Sequence, residues 1–298
     1  MGVQFWWFYD VIVVAVALVL IFITVKRGFM KATATAVGYI LAVFISFSVS
    51  GGLADSIADT ALKGSKIKDL TFTLAENDYA AELTAQINSL KYYAPADQRV
   101  IQDIYSTGEN VDNNIYTYLS RLNNGLPDSE EEFYVKLHEC YAASASKFIE
   151  KRLSPYSAEC AAEQIKKQPQ KYWQFLKLLC DDETKQPAAK YMIENYLKQP
   201  YSTYMRLIVY VVLFAIILLL TLFISTSVGR YDHTEKGFVT VSLSILIGLG
   251  KAAAVLLTIA VLIRLNVITG SDKMLFFNHE AIDSTYIFKY FYAIIKSW

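Results

Sequence analysis

Apolar positions crowd the two ends of the chain, and polar positions fill its middle. Near the start, residues 11–25 and 32–49 form two runs dominated by Val, Ile, Leu and Ala, separated by Lys26-Arg27-Gly28-Phe29-Met30-Lys31. Counted from Trp6, the first run holds about 20 residues, enough to cross a hydrocarbon core roughly 30 Å thick. The second is similar in length and carries no charge. Two more apolar runs follow at residues 204–226 and 239–263. The pattern predicts an all-α, polytopic membrane protein with four transmembrane helices in two hairpins. Between the hairpins sits a soluble helical insert, and an amphipathic helix follows the second. The expected divisions are 1–50 for the first hairpin, 51–203 for the insert, 204–264 for the second hairpin and 265–298 for the tail.

The link between the first two runs carries Lys26, Arg27 and Lys31 and no acid. Cytoplasmic turns have this composition, because membrane insertion retains positive charge inside. On that rule the turn is cytoplasmic. The amino and carboxyl ends and residues 51–203 are then extracytoplasmic, and the protein is multi-pass in the inner (plasma) membrane. Residues 1–9 contain no Lys or Arg, and the basic residues come after the apolar run. That order is the reverse of a cleavable signal peptide, so the first run is expected to stay as an anchor. Trp6, Trp7, Phe8 and Tyr9 form an aromatic cluster where it meets the interface.

From residue 51 to 203 the composition changes to 17 Lys and Arg against 22 Asp and Glu, a net of −5. Helical spacing recurs at Tyr134, Leu137, His138 and Tyr141, and again at Tyr172, Phe175, Leu176 and Leu179. Asp128-Ser129-Glu130-Glu131-Glu132 after Pro127 reads as a helix start with acids in its first turn. Asn123-Asn124-Gly125 and Ser154-Pro155 read as breaks. All six prolines fall in this middle region. About 150 residues of short helices can bury a core of their own.

Composition agrees with the pattern: 54% of residues are hydrophobic, 19% are charged and the mean hydropathy is +0.30. The formal net charge is zero, so no overall field points to nucleic acid. Cys140, Cys160 and Cys180 recur every twenty residues, but their neighbours do not repeat. Three readings stand for them: separate structural thiols, one disulfide with one thiol left over, or a metal site completed by His138. No phosphate-binding loop, nucleophile elbow, zinc-protease or dinucleotide motif is present. The expectation is therefore no catalytic, cofactor-binding or metal residue. His233 reads as a loop histidine.

Five positions in or beside the apolar runs are candidate intramembrane polar sites: Asp10, Ser242, Gly248, Gly250 and Lys251. Asp10 either favours the dipole of the helix it opens or faces the bundle interior. Lys251 stands at the middle of the fourth run, where a charge costs at least about 2.5–3.5 kcal/mol. Either it faces a polar interior, or residues 239–247 lie along the membrane and Lys251 snorkels to the headgroups. Residues 282–298 alternate Ile287, Tyr290, Phe291, Ile294 and Ile295 with Lys289 and Lys296. That spacing suits an amphipathic helix on the outer interface or packed on the insert.

The span opening near an acid, the Lys26-Arg27-Gly28-Phe29 turn, the second span with Gly38, and the glycine-rich, basic start of the last span resemble the colicin V production protein family. The resemblance covers the two hairpins, about half of the chain, and leaves the long insert without a counterpart. It implies a non-enzymatic accessory or scaffold in toxin secretion or envelope homeostasis, with the lipid bilayer and other envelope proteins or further copies of itself as partners. A transporter or channel component is the competing expectation, with Asp10, Ser242, Lys251 and the glycines lining a path in an oligomer. A sensor whose outer helices bind a ligand is a third.

Overall fold

Long apolar helices form where the sequence offers uninterrupted Val, Ile, Leu and Phe without proline. In the computed structural model the first is α1 (Trp7–Lys26), followed by α2 (Phe29–Ile57). After the insert come α11 (Lys198–Val228) and α12 (Phe238–Thr269). The structure describes every residue except 1–4, 28, 182–183, 229–236, 270–278 and 297, and describes only the backbone of 61, 62, 152, 181, 228 and 279. Gly28, the link carrying His233, and the apolar patch at 275–277 therefore lie outside the described residues. Every described regular element is helical. Among the described residues, four helices are long and apolar enough to cross a membrane. This is the all-α, multi-pass membrane architecture that the apolar runs predict.

The chain divides into two compact units, residues 1–57 with 202–298, and residues 58–201. The apolar helices therefore reach further than the runs suggest, with α2 ending at Ile57 and α11 beginning at Lys198.

In the first unit α12 is the central helix, packed along α1 and also against α2. The buried stripe of α2 is made of small or weakly polar side chains: Ala32, Thr35, Gly38, Ala42, Ser46 and Ser50. Its bulky residues Ile40, Leu41 and Phe44 face outward. Lipid is as apolar as Leu, so helices in a membrane associate through close backbone approach, which small residues permit. Two contacts are closest. A Cβ on Gly38 would lie 2.0 Å from Thr221 Cγ2, and one on Gly248 would lie 2.7 Å from Ile21 Cα. Helix α12 is continuous across Gly248 and Gly250. Residues 239–247 are therefore its first turns, not a separate surface helix.

The amphipathic helix expected over 282–298 is the shorter α14 (Phe288–Lys296), and the short α13 (His279–Asp283) precedes it. Helix α14 buries Phe288, Tyr292 and Ile295 and packs on α12 and α1.

The second unit begins with a single π-helical turn, Ala58–Leu62, and continues through α3 (Lys63–Glu76), α4 (Tyr79–Asn88), α5 (Gln98–Ser106) and α6 (Val111–Leu122). It goes on through α7 (Glu130–Arg152), α8 (Pro155–Lys167), α9 (Pro169–Asp181) and α10 (Gln186–Met192) to a second π turn, Ile193–Leu197. Helix α7 starts at a capping box, with the Ser129 hydroxyl on the Glu132 amide and the Glu132 carboxylate on the Ser129 amide. Ser154 caps α8 with Pro155 in the first turn, where its missing N–H costs nothing. The chain stops after α6 at Asn124 and Gly125, both at positive φ, which Gly adopts without a Cβ clash. The helices close on a continuous core that includes Leu83, Ile101, Phe133, Leu137, Phe175 and Leu197. Each fully buried Leu, Ile or Phe side chain contributes about 1.5–3 kcal/mol.

Candidate functional site

The candidate intramembrane residues occupy different places in the first unit. Asp10 opens α1, and its carboxylate accepts hydrogen bonds from the backbone N–H groups of Tyr286 at 2.7 Å, Ile287 at 3.0 Å and Phe288 at 3.1 Å. It thus caps α14, a helix 276–278 residues away in sequence. The first N–H groups of a helix have no partner within it, and the positive end of its dipole favours an anion. The neighbouring aromatics complete this junction. Tyr9 stacks on Phe288 with ring centroids 5.1 Å apart, and Trp6 meets Tyr286 edge-on at the same distance. The aromatic cluster expected at the interface is thus part of an intramolecular contact.

Lys251 lies on the inner face of α12, with 3% of its surface exposed. Gly248, one turn earlier, faces Ile21 of α1. Gly250 points elsewhere, into a groove between α2 and α12, and a Cβ there would meet nothing within 4 Å. Ser242 is half-buried, nine residues before Lys251, about two and a half turns. Asp10 stands eleven residues from Ile21, about 16 Å of helix axis, so it and Lys251 belong to different levels of the bundle. Of the topology-turn residues, Lys26 rests over the Phe22 ring at 4.5 Å. Arg27 and Phe29 flank the turn, and Lys31 lies in the first turn of α2.

Arg206 stands near the start of the third apolar run, residues 204–226. The structure stacks its guanidinium 4.2 Å from the Trp298 ring centroid and 5.7 Å from that of Phe47. Trp298 also meets the edges of Phe47 and Tyr210, at 4.8 and 5.6 Å. Arg206 Nε is buried without a hydrogen-bond partner.

In the insert, Asp112 is a buried carboxylate with three partners. Oδ1 accepts from Tyr141 Oη at 2.8 Å and Trp173 Nε1 at 2.9 Å, and Oδ2 meets His138 Nε2 at 2.7 Å. Burial, with the Asp112 charge beside it, pushes the Tyr141 phenol well above its ordinary range, so it stays a neutral donor. The hydroxyls of Tyr79 and Tyr172 bond to each other in the same core. Of the sequence signals, the helical spacing of His138, Tyr141 and Tyr172 touched this core, and none singled out Asp112.

The cysteines are three separate thiols. Cys140 is buried with Sγ on the Gln86 carbonyl at 3.4 Å, and burial pushes its pKa up to about 12. Among the described residues no group of His, Cys, Asp and Glu side chains is arranged to hold a metal ion. A cavity of about 210 Å³ in the insert is lined by Asp59, Lys63, Glu194, Lys198 and Tyr201. Its charges pair with one another, Lys63 with Glu194 at 2.6 Å and Lys198 with Asp59 at 3.8 Å.

These features define an all-α polytopic membrane protein with an independently cored helical insert. No protein-family model, curated protein or solved structure matches the chain.

Proposed function

We propose that the chain is a non-enzymatic accessory or scaffold of the bacterial inner membrane, acting in toxin secretion or envelope homeostasis as colicin V production proteins do, and presenting its insert outside the cytoplasm. The observation that carries this reading is the use made of the polar groups. The buried carboxylate of Asp112 is held by His138, Tyr141 and Trp173, and the half-buried carboxylate of Asp10 by the amides of Tyr286, Ile287 and Phe288 leading into α14. Groups held in this way brace helices against one another. The resemblance in the hairpins supplies the process, and the basic turn supplies the orientation.

Burial of Lys251 in α12 favours a second reading, a transport component with an interior charge. A deletion strain complemented with Lys251→Leu separates the two. The scaffold reading expects normal insertion, unchanged co-purification of envelope partners and full restoration of the strain's secretion or envelope defect. Loss of function at normal membrane abundance would favour transport.

A further inference from the structure

A groove of about 310 Å³ runs between α2 and α12, lined by Ile40, Phe44 and Phe47 on one side and Gly250, Ala253 and Leu257 on the other. Its walls are almost wholly apolar, and it lies on helices of membrane-spanning length and composition. The lining residues cover two turns of each helix, about 10 Å along the axis. Gly250 leaves its floor open, since an added Cβ meets nothing there. Phe47 marks one end, and at that end the Arg206 guanidinium lies over the Phe47 and Trp298 rings.

Arg206 makes no hydrogen bond or ion pair with any described residue, and its Nε is buried without a partner. The Asp55 carboxylate, which accepts a hydrogen bond from Ser202, acts on the guanidinium through its charge but forms no ion pair with it. A cation at the mouth of an apolar groove matches one amphiphile in particular, an anion attached to a hydrocarbon chain. Arg is suited to the anion because its planar fork binds phosphate oxygens while its face stacks on an aromatic ring.

We propose that this groove and Arg206 form a binding site for an anionic glycerophospholipid of the bilayer, with one acyl chain between α2 and α12 and the phosphate on the Arg206 guanidinium. The site belongs to the membrane unit alone and stands whichever of the two functions above holds.

The test is native mass spectrometry of the full-length protein from detergent micelles containing equal amounts of phosphatidylglycerol and phosphatidylcholine with identical acyl chains. The expected result is retention of phosphatidylglycerol over phosphatidylcholine by about tenfold, the scale of one charge-assisted pair. Arg206→Gln should bring the ratio to about one, and Arg206→Lys should keep part of the preference. Gly250→Leu, which fills the groove, should lower retention of both lipids while leaving the helical circular dichroism unchanged. Equal retention by the unaltered protein would overturn the proposal, as would an unchanged ratio in Arg206→Gln. So would a lipid-independent dimer abolished by Gly250→Leu, which would make a second copy the occupant. If Arg206→Gln does not fold, Gly250→Leu and the ratio in the unaltered protein still decide.

Discussion

Two glycines, two residues apart on α12, should respond oppositely to the same substitution. In Gly248→Ala the new methyl would lie 2.7 Å from Ile21 Cα and 3.2 Å from Ile21 N. Both are backbone atoms, so no rotamer change relieves the overlap. Restoring an ordinary carbon–carbon separation of about 3.5–4.0 Å requires α1 to move away by roughly 1 Å. That shift opens the seam along which α1 and α12 pack. Overpacking of this kind costs about 1–3 kcal/mol. At Gly250 the methyl enters open space, and the gain in helix propensity is about 0.8–1.0 kcal/mol. The two variants should therefore differ by about 2–4 kcal/mol. For a unit of this size that corresponds to a Tm gap of roughly 5–15 °C. Thermal unfolding of the purified protein in one detergent, followed by circular dichroism, measures it. Equal midpoints for Gly248→Ala and Gly250→Ala would refute the packing of α12 on α1.

Other outcomes follow from the polar contacts. Asp10→Ala should release α14 at a cost near that of a lost helix cap, about 0.5–2 kcal/mol, seen as faster hydrogen exchange at the amides of 286–288 while the spans stay protected. Asp112→Ala leaves the buried Tyr141 hydroxyl and the half-buried His138 and Trp173 donors facing a void and should destabilise the insert by about 1–3 kcal/mol, read as faster trypsin cleavage at Arg121 and Lys136, which flank the α6–α7 link. The salt link from Lys136 and the hydrogen bond from Tyr92 hold the Asp128 carboxyl below its ordinary range. Burial alone would raise Glu82, but Lys147 and Gln86 bring it below its ordinary range. A carboxylate depressed by folding contributes stability above its unfolded pKa and loses it as pH falls through the folded one. Protection of the insert should thus decline on acidification below about pH 4, and less steeply in Lys136→Met.

The helices were legible because their signals are local. Four apolar runs, the Ser129 cap and the Asn124-Gly125 stop each act within a few residues. The limits of the spans were less so, since α2 and α11 continue as helices through polar residues once their apolar stretches end. Asp10 stood out as a charge beside a span, but its partners lie 276–278 positions away, so only the fold could assign it a helix to cap. Arg206 and Trp298 are likewise joined only in three dimensions. The regular spacing of the cysteines carried no structural meaning, because the three thiols lie on α7, α8 and α9 and form no disulfide. Lys251 was conspicuous as a charge in an apolar helix, and the structure buries it on α12 without an ion pair among the described residues.

The orientation assigned by the basic turn is tested most directly by thiol labelling in intact cells. Tyr93 is 99% exposed on the insert, so Tyr93→Cys in a chain with Cys140, Cys160 and Cys180 changed to Ser offers one accessible target. A reagent unable to cross membranes should modify it before the cells are opened, whereas Lys31→Cys in the same background should react only afterwards. Reaction of Tyr93→Cys only after lysis would place the insert in the cytoplasm and contradict the account.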